Sequence, residues 1–133
     1  MRQRGFGLIE SVTVVAIVGV MATIALPSYR DAQLRSRRVD ATQSLQRLQA
    51  AQEQYRTTHG RYAEALSQLP GTNNAESQLG RYRIGLRLVG DDGYELDAQP
   101  QEAQAGDTAC PVFTLRVSGA FSTHGPETGC WPA

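Results

Sequence analysis

Residues that commonly carry chemistry are scarce in this chain. Its 133 residues include two cysteines, two histidines and one tryptophan. Cys110, Cys130, His59 and His124 stand far apart with no zinc-site spacing, so no metal is expected. Neither histidine falls in a nucleophile or metal motif, and the scattered serines and aspartates form no cluster of acid, base and nucleophile. No catalytic residue and no cofactor are expected. Net charge is absent too, thirteen basic side chains balancing thirteen acidic ones. Global electrostatics therefore draws the chain neither to nucleic acid nor to acidic lipid.

What is present is one long apolar run. From Gly5 to Tyr29 the chain reads GFGLIESVTVVAIVGVMATIALPSY, and Val12 to Leu26 holds no charge and only two hydroxyls. Leu8 to Leu26 is close to the roughly 20 residues that a helix needs to cross the hydrocarbon core. Glu10 sits near the start of this run, where a carboxylate costs on the order of 2.5–3.5 kcal/mol on insertion scales and calls for a partner and a function. An ordinary secretory signal over residues 1–22 would use Arg2 and Arg4 as its charged region, with small residues at Val20 and Ala22, but has no need of Glu10. A plain signal-anchor explains the length and leaves the Gly5–Phe6 step without a role. A helix buried in a soluble core would show a polar face, and this one has none.

The basic pentapeptide MRQRG, the aromatic Phe6, Glu10, the uninterrupted apolar run and Pro27 together resemble the class III signal of type IV pilins. The resemblance implies that a prepilin peptidase cuts after Gly5 and N-methylates Phe6. The cut creates an α-ammonium at Phe6, a cation able to satisfy Glu10 of a neighbouring subunit inside an apolar bundle. Three segments follow: a leader peptide over 1–5, an apolar transmembrane and filament-core helix over 6–28, and a periplasmic or extracellular globular domain over 29–133. Pro27 removes a backbone donor and is expected to bend or locally melt the helix near Thr23 to Leu26.

Loss of residues 1–5 takes away Arg2 and Arg4, so the mature side chains total 11 minus 13, or −2. About a hundred residues are left for soluble structure, which suits one small domain. On the exported side of the stem, Cys110 and Cys130 are expected to be disulfide-bonded. The link would enclose about twenty residues and contribute roughly 3 kcal/mol in the chain-entropy model.

Helix formers continue from Ser28 to about His59, with Leu34, Ala41, Leu45, Leu48 and Tyr55 on one narrow stripe, as for a helix covered on one side by a small sheet. Arg35, Arg37 and Arg38 form a basic patch, favoured as a solvated face pairing with Asp31 and Asp40 over contact with lipid headgroups or DNA. Gly60 supplies the helix cap. RYAEALSQLP could hold one helical turn before Pro70–Gly71, and GTNNAESQLG has loop chemistry. From Arg81 to Val89 the residues alternate, with Tyr82, Ile84, Leu86 and Leu88 facing one way and Arg81, Arg83 and Arg87 the other, as in a half-buried strand. Gly90 to Gly93 forms a hairpin turn into a second strand with Tyr94, Leu96 and Ala98. A polar loop over Pro100 to Pro111 leads to a third strand with Phe113, Leu115 and Val117. After a turn at Ser118–Gly119, Ala120 to Ser122 is a short fourth strand. Trp131 is expected to pack on the disulfide and the sheet edge, its indole N–H requiring a partner.

Arg81, Arg83 and Arg87 are the candidate DNA contacts, because arginines beside Tyr82 and Tyr94 could grip phosphates and stack bases. Strand parity places those tyrosines on the opposite, buried face, so a solvated or subunit-contacting face is favoured for the three arginines.

A helix, an antiparallel hairpin and a loop bounded by Cys110 and Cys130 resemble the αβ-roll and disulfide-closed C-terminal loop of type IV pilins. The stretches YELDAQP, AQAGDTACPVFTLRVSGAF and GCW are similar to PilE-type minor pilins of type IVa systems. The fold class implied is α+β, a long N-terminal helix packed by its C-terminal half on a small antiparallel sheet. The expected protein is a structural subunit of a type IV pilus and not an enzyme, most similar to a minor pilin, serving adhesion, twitching motility or DNA uptake. It would sit in the inner membrane of a Gram-negative bacterium before assembly and in the extracellular pilus afterwards. Other pilin subunits, the prepilin peptidase and the pilus assembly platform are the partners implied. Two alternatives stay open: a DNA-binding uptake receptor pilin, and a type II secretion pseudopilin, in which the disulfide-closed loop is usually missing.

Overall fold

A single helix, α1, runs Leu8–His59 in the computed structural model, which describes residues 5–71, 74–127 and 129–132. Arg2 and Arg4 of the expected leader, Thr72 and Asn73 of the expected loop and Thr128 of the tail lie outside the described residues. The chain separates into two compact units, one up to Gln33 and one from Leu34 onward. In the first unit the helix is rich in β-branched residues that favour strands in water. A helix pairs its own backbone groups, as lipid requires, and that requirement outweighs propensity. Thr13 and Thr23 donate their hydroxyls to the carbonyls of Ile9 and Val20 at 2.8 and 2.6 Å, folding both polar groups back on the backbone.

Of the bend or local melting expected near Pro27, melting does not occur, since residues 23–27 are helical with the proline inside α1. Proline removes only the bond its own N–H would have made to the carbonyl of Thr23, and the bonds on either side keep the helix closed. At the other end Gly60 takes φ +75° and donates its N–H to the carbonyl of Arg56 at 2.7 Å, the expected glycine cap.

The second unit is built on four antiparallel strands, β1 (Tyr82–Leu88), β2 (Gly93–Pro100), β3 (Phe113–Ser118) and β4 (Phe121–Gly125), in the order β1-β2-β3-β4. Alternation works as expected on the inner face, where Tyr82, Ile84, Tyr94, Leu96, Ala98, Phe113, Leu115 and Val117 are buried with Ala41, Leu45 and Leu48 of α1 in one core. The fold class read from the sequence is therefore the one observed. Leu88 departs from it, remaining 42% exposed at the end of β1. The single turn before Pro70 is a 3₁₀ helix, Leu66–Gln68, and a second one, Glu102–Gly106, occupies the loop before β3. β4 is longer than the expected Ala120 to Ser122 segment, and its residues are largely exposed.

Cys110 and Cys130 form the expected disulfide, with Cα atoms 5.9 Å apart. Trp131 packs edge-on to Phe113 and donates its indole N–H to the carbonyl of Gly125 at 2.8 Å.

One correction concerns the basic patch. Arg38 and Asp40 do not pair along the helix: Arg38 bonds to Asp107, and Asp40 accepts from the Ser77 hydroxyl at 2.5 Å and the Leu79 N–H at 3.1 Å. The reason is helical spacing, because residues 38, 41, 45, 48 and 52 form one i, i+3, i+4 row, so Arg38 and Gln52 extend the stripe that faces the sheet. Gln52 is fully buried and closes a two-way bond with the backbone of Ala63, at 2.8 and 3.0 Å.

Tyr94 is fully buried and its hydroxyl has no partner among the described residues, and burial drives its pKa well above the ordinary tyrosine value; Tyr62 and Tyr82 shift the same way for the same first cause. Folding thus favours the neutral phenols. That stabilisation is fully present below a pH of about 10 and is lost as pH rises beyond it, because the unfolded chain ionises first. Tyr94→Phe keeps the ring and deletes the stranded hydroxyl. Urea unfolding is expected to show stability at neutral pH unchanged or raised by about 1 kcal/mol, with a shallower loss above pH about 10. A clear destabilisation at neutral pH would show that the hydroxyl has a partner.

Candidate functional site

Two surfaces carry the residues singled out in the sequence. On the first, α1 begins just after Gly5 and Phe6, and Glu10 lies in its first turn. Among the described residues, Glu10 accepts a long 3.4 Å contact from the Gly7 N–H. Phe6, Leu8 and Ile9 are all more than 80% exposed, and the most apolar eighteen-residue window of the helix has a mean hydropathy of 2.2 with none of it buried within the chain. The helix is long and apolar enough to cross a membrane. Among the described residues, the Gly7 contact is the one its carboxylate makes, and its apolar surface is exposed.

The second surface is the outer face of the sheet. Arg83 and Arg87 stand on it in β1, while Arg81 lies just before the strand and is half-buried. Arg81 lines a hollow of about 320 Å³ with Ser36, Arg37, Gln43 and Leu79. Arg87 is held by Glu95, opposite it on β2, at 2.6 Å, and Glu95 also takes Arg116 of β3 at 3.1 Å. Arg116 was missed in the sequence, although the buried positions 113, 115 and 117 imply that it points outward. The next row across the sheet is Gly85, Asp97, Thr114 and Gly125. A side chain on Gly85 would collide with Asp97, and one on Gly125 with Thr114, so both glycines keep this part of the face low. The outer face thus carries Arg83, Arg87 and Arg116 against Glu95 and Asp97. Every cation of the chain is an arginine, with no lysine present. A guanidinium presents a planar fork that matches phosphate bidentately, which a lysine cannot.

Between helix and loop, Arg38 makes a bidentate pair with Asp107, at 2.6 and 2.7 Å, and this bond lifts the arginine pKa above its ordinary value against the opposing effect of burial. Gln104, from the second 3₁₀ helix, donates to the Leu34 carbonyl and the Tyr82 hydroxyl at 3.0 and 2.9 Å. The histidines are engaged by rings, His59 stacked on Tyr55 and His124 against Trp131. Among the described residues no three His, Cys, Asp or Glu are grouped to hold a metal ion.

An uncovered apolar helix with a carboxylate in its first turn, followed by a disulfide-closed α+β head, defines a pilin. Residues 1–26 match the model of the prokaryotic N-terminal methylation motif. Residues 27–114, more than half of the chain, match the model described as type IV minor pilin ComP, DNA uptake sequence receptor, and the protein belongs to this family of type IV pilins. It is 38% identical to the type IV major pilin protein PilA of Myxococcus xanthus, over 62% of this chain and 37% of that one. It is 39% identical to the type IV major pilin protein PilE1 of Neisseria gonorrhoeae, over 47% of this chain and 38% of the other. The chain thus spans well under half the length of these pilins. To the type II secretion system core protein G of Klebsiella pneumoniae it is 29% identical, across 98% of this chain and 95% of that one. The pilin family is structural, and none of these likenesses points to catalysis.

Asp107 is 3% exposed and Arg38 17%. Asp107→Ala would strand the guanidinium and is expected to cost about 3 kcal/mol in denaturant unfolding, whereas Arg38→Met with Asp107→Leu should recover most of that loss. An Asp107→Ala protein of unchanged stability would show the pair to be dispensable.

Proposed function

We propose that the protein is a DNA-binding minor subunit of a type IV pilus. The observation that carries this is the match of residues 27–114 to a minor-pilin family described as a DNA uptake sequence receptor. It shifts the weight from a merely solvated arginine face to DNA contact, and Arg83, Arg87 and Arg116 are the side chains offered to phosphates, with Arg81 at the rim. A mature charge near zero leaves no long-range attraction, so binding depends on these local contacts.

In this proposal a prepilin peptidase cuts after Gly5 and methylates Phe6, dividing the chain into a leader over 1–5, a stem over 6–28 and a head over 29–133. The methylation-motif match over residues 1–26 supports it. The stem waits in the inner membrane of a Gram-negative cell until the assembly platform moves it into a filament. There the bare apolar helix packs against other pilins, and Glu10 pairs with the Phe6 ammonium of a neighbour. Pro27 is retained inside the helix and supplies the point at which it can yield. A pseudopilin of type II secretion is the second reading, favoured by the near full-length likeness to core protein G. The disulfide-closed loop speaks for the pilus.

The test is fluorescence anisotropy of a labelled short duplex with the full-length protein in detergent across a salt series. Three phosphate contacts predict a slope of log K against log salt near about −3. Replacing Arg83, Arg87 and Arg116 by alanine should flatten the slope and weaken binding by roughly tenfold or more. A wild-type protein that shows no salt-sensitive binding at low ionic strength would refute DNA capture and leave the secretion pseudopilus as the better account.

A further inference from the structure

Phe121 opens β4 on the free edge of the sheet and is 80% exposed, the most of any large apolar side chain described beyond Leu34. An aromatic ring has much apolar surface to bury and is costly to leave in water. Register explains its position: Phe121 is paired with Ser118, and Thr123 with Arg116, so Phe121 and Arg116 share the outer face as diagonal neighbours about 7–8 Å apart. The hairpin that presents the ring is fixed, because Gly119 takes φ +60° and donates its N–H to the carbonyl of Asp92 at 2.9 Å. Nearby acids are already engaged, Glu95 by Arg87 and Arg116, and Asp92 by Arg56 at 2.8 Å.

The ring is alone in its chemistry. Around it on the outer face stand Ser118, Thr123 and Arg116, while Leu88 belongs to the inner parity of β1 and Val112 precedes β3. The core of a protein–protein contact needs a cluster of apolar side chains, and among the described residues this face shows none. A base step needs one flat ring flanked by cations, because every base offers a π-face and every step a phosphate.

We propose that Phe121 is a stacking wedge, entering the base stack of DNA held on the arginine face while Arg116 takes the adjoining phosphate. This rests on the DNA-binding role proposed above and adds to it a sequence-tolerant contact that unstacks one step.

The full-length protein in detergent would be titrated into two probes, a fluorescein-labelled duplex read by anisotropy and the same duplex carrying one 2-aminopurine, whose emission rises when it is unstacked. Wild type is expected to bind and to raise the 2-aminopurine signal. Phe121→Ala should bind about tenfold more weakly, with an unchanged salt slope and no signal, and Phe121→Trp should restore both. An unfolding midpoint equal to wild type in each variant excludes a folding defect, which the exposure of the side chain makes improbable. If Phe121→Ala keeps affinity and signal while wild type retains its salt dependence, the wedge is wrong and the DNA-binding role stands. If Phe121→Ala instead leaves DNA affinity intact and drops out of filaments, the ring serves subunit contact. No binding by wild type would remove both proposals.

Discussion

Arg38 and Asp107 close an ion pair across 69 positions of sequence, and the head depends on it and on the polar bonds around it. A helix laid on a twisted sheet can slide or roll if only apolar side chains meet, because those contacts have no direction. Here the C-terminal part of α1 is pinned, by Arg38 to Asp107, by Asp40 to Ser77 and by Gln52 to the backbone of Ala63. Each bond ends on a loop, not on a strand. The apolar row of Ala41, Leu45 and Leu48 supplies most of the burial, and the polar bonds fix which loop sits where. Buried polar groups stabilise only when paired, so the same bonds that fix the loops make those loops sensitive to single substitutions.

That arrangement leaves the outer face of the strands free for the binding role proposed for it. The outer face has no apolar cover to maintain, and its arginines are held out by backbone pairing and by Glu95 between two of them. Guanidinium groups fixed in this way lose less freedom on meeting a phosphate than arginines on a loop would. In the proposed DNA-binding role, with net charge near zero, such a surface would capture a polyanion at short range and release it as salt rises. The stem meets the opposite demand. Its two threonine hydroxyls are folded back on the helix and its apolar side chains are exposed among the described residues, as the proposed passage from lipid to a packed helical core would require.

Much of the fold was legible in the sequence because period decides it. Alternation marked β1 to β3, helical spacing marked α1 to His59, and Gly60 and the hairpin glycines marked their turns. The rest failed for physical reasons. Arg38 and Gln52 lie on the buried row, but their polarity hides them from a reading that follows apolar residues. β4 carries no apolar alternation, since its residues are mostly in water, and its register is set by pairing with β3. The orientation of Phe121 follows from that register and from nothing in its own neighbourhood of sequence. Arg116 could have been found, for parity alone places it beside Arg87 across Glu95. Of the three arginines read from β1, Arg83 and Arg87 lie within the strand and Arg81 just before it.

Central to the account is the proposal that this chain is a processed filament subunit whose stem is covered by its neighbours. The most direct test is the intact mass of the protein recovered from sheared filaments. The account predicts loss of residues 1–5, one added methyl group, and the two-proton deficit of the Cys110–Cys130 bond. A mature chain that begins near Thr23, or a chain absent from the filament fraction, would contradict it.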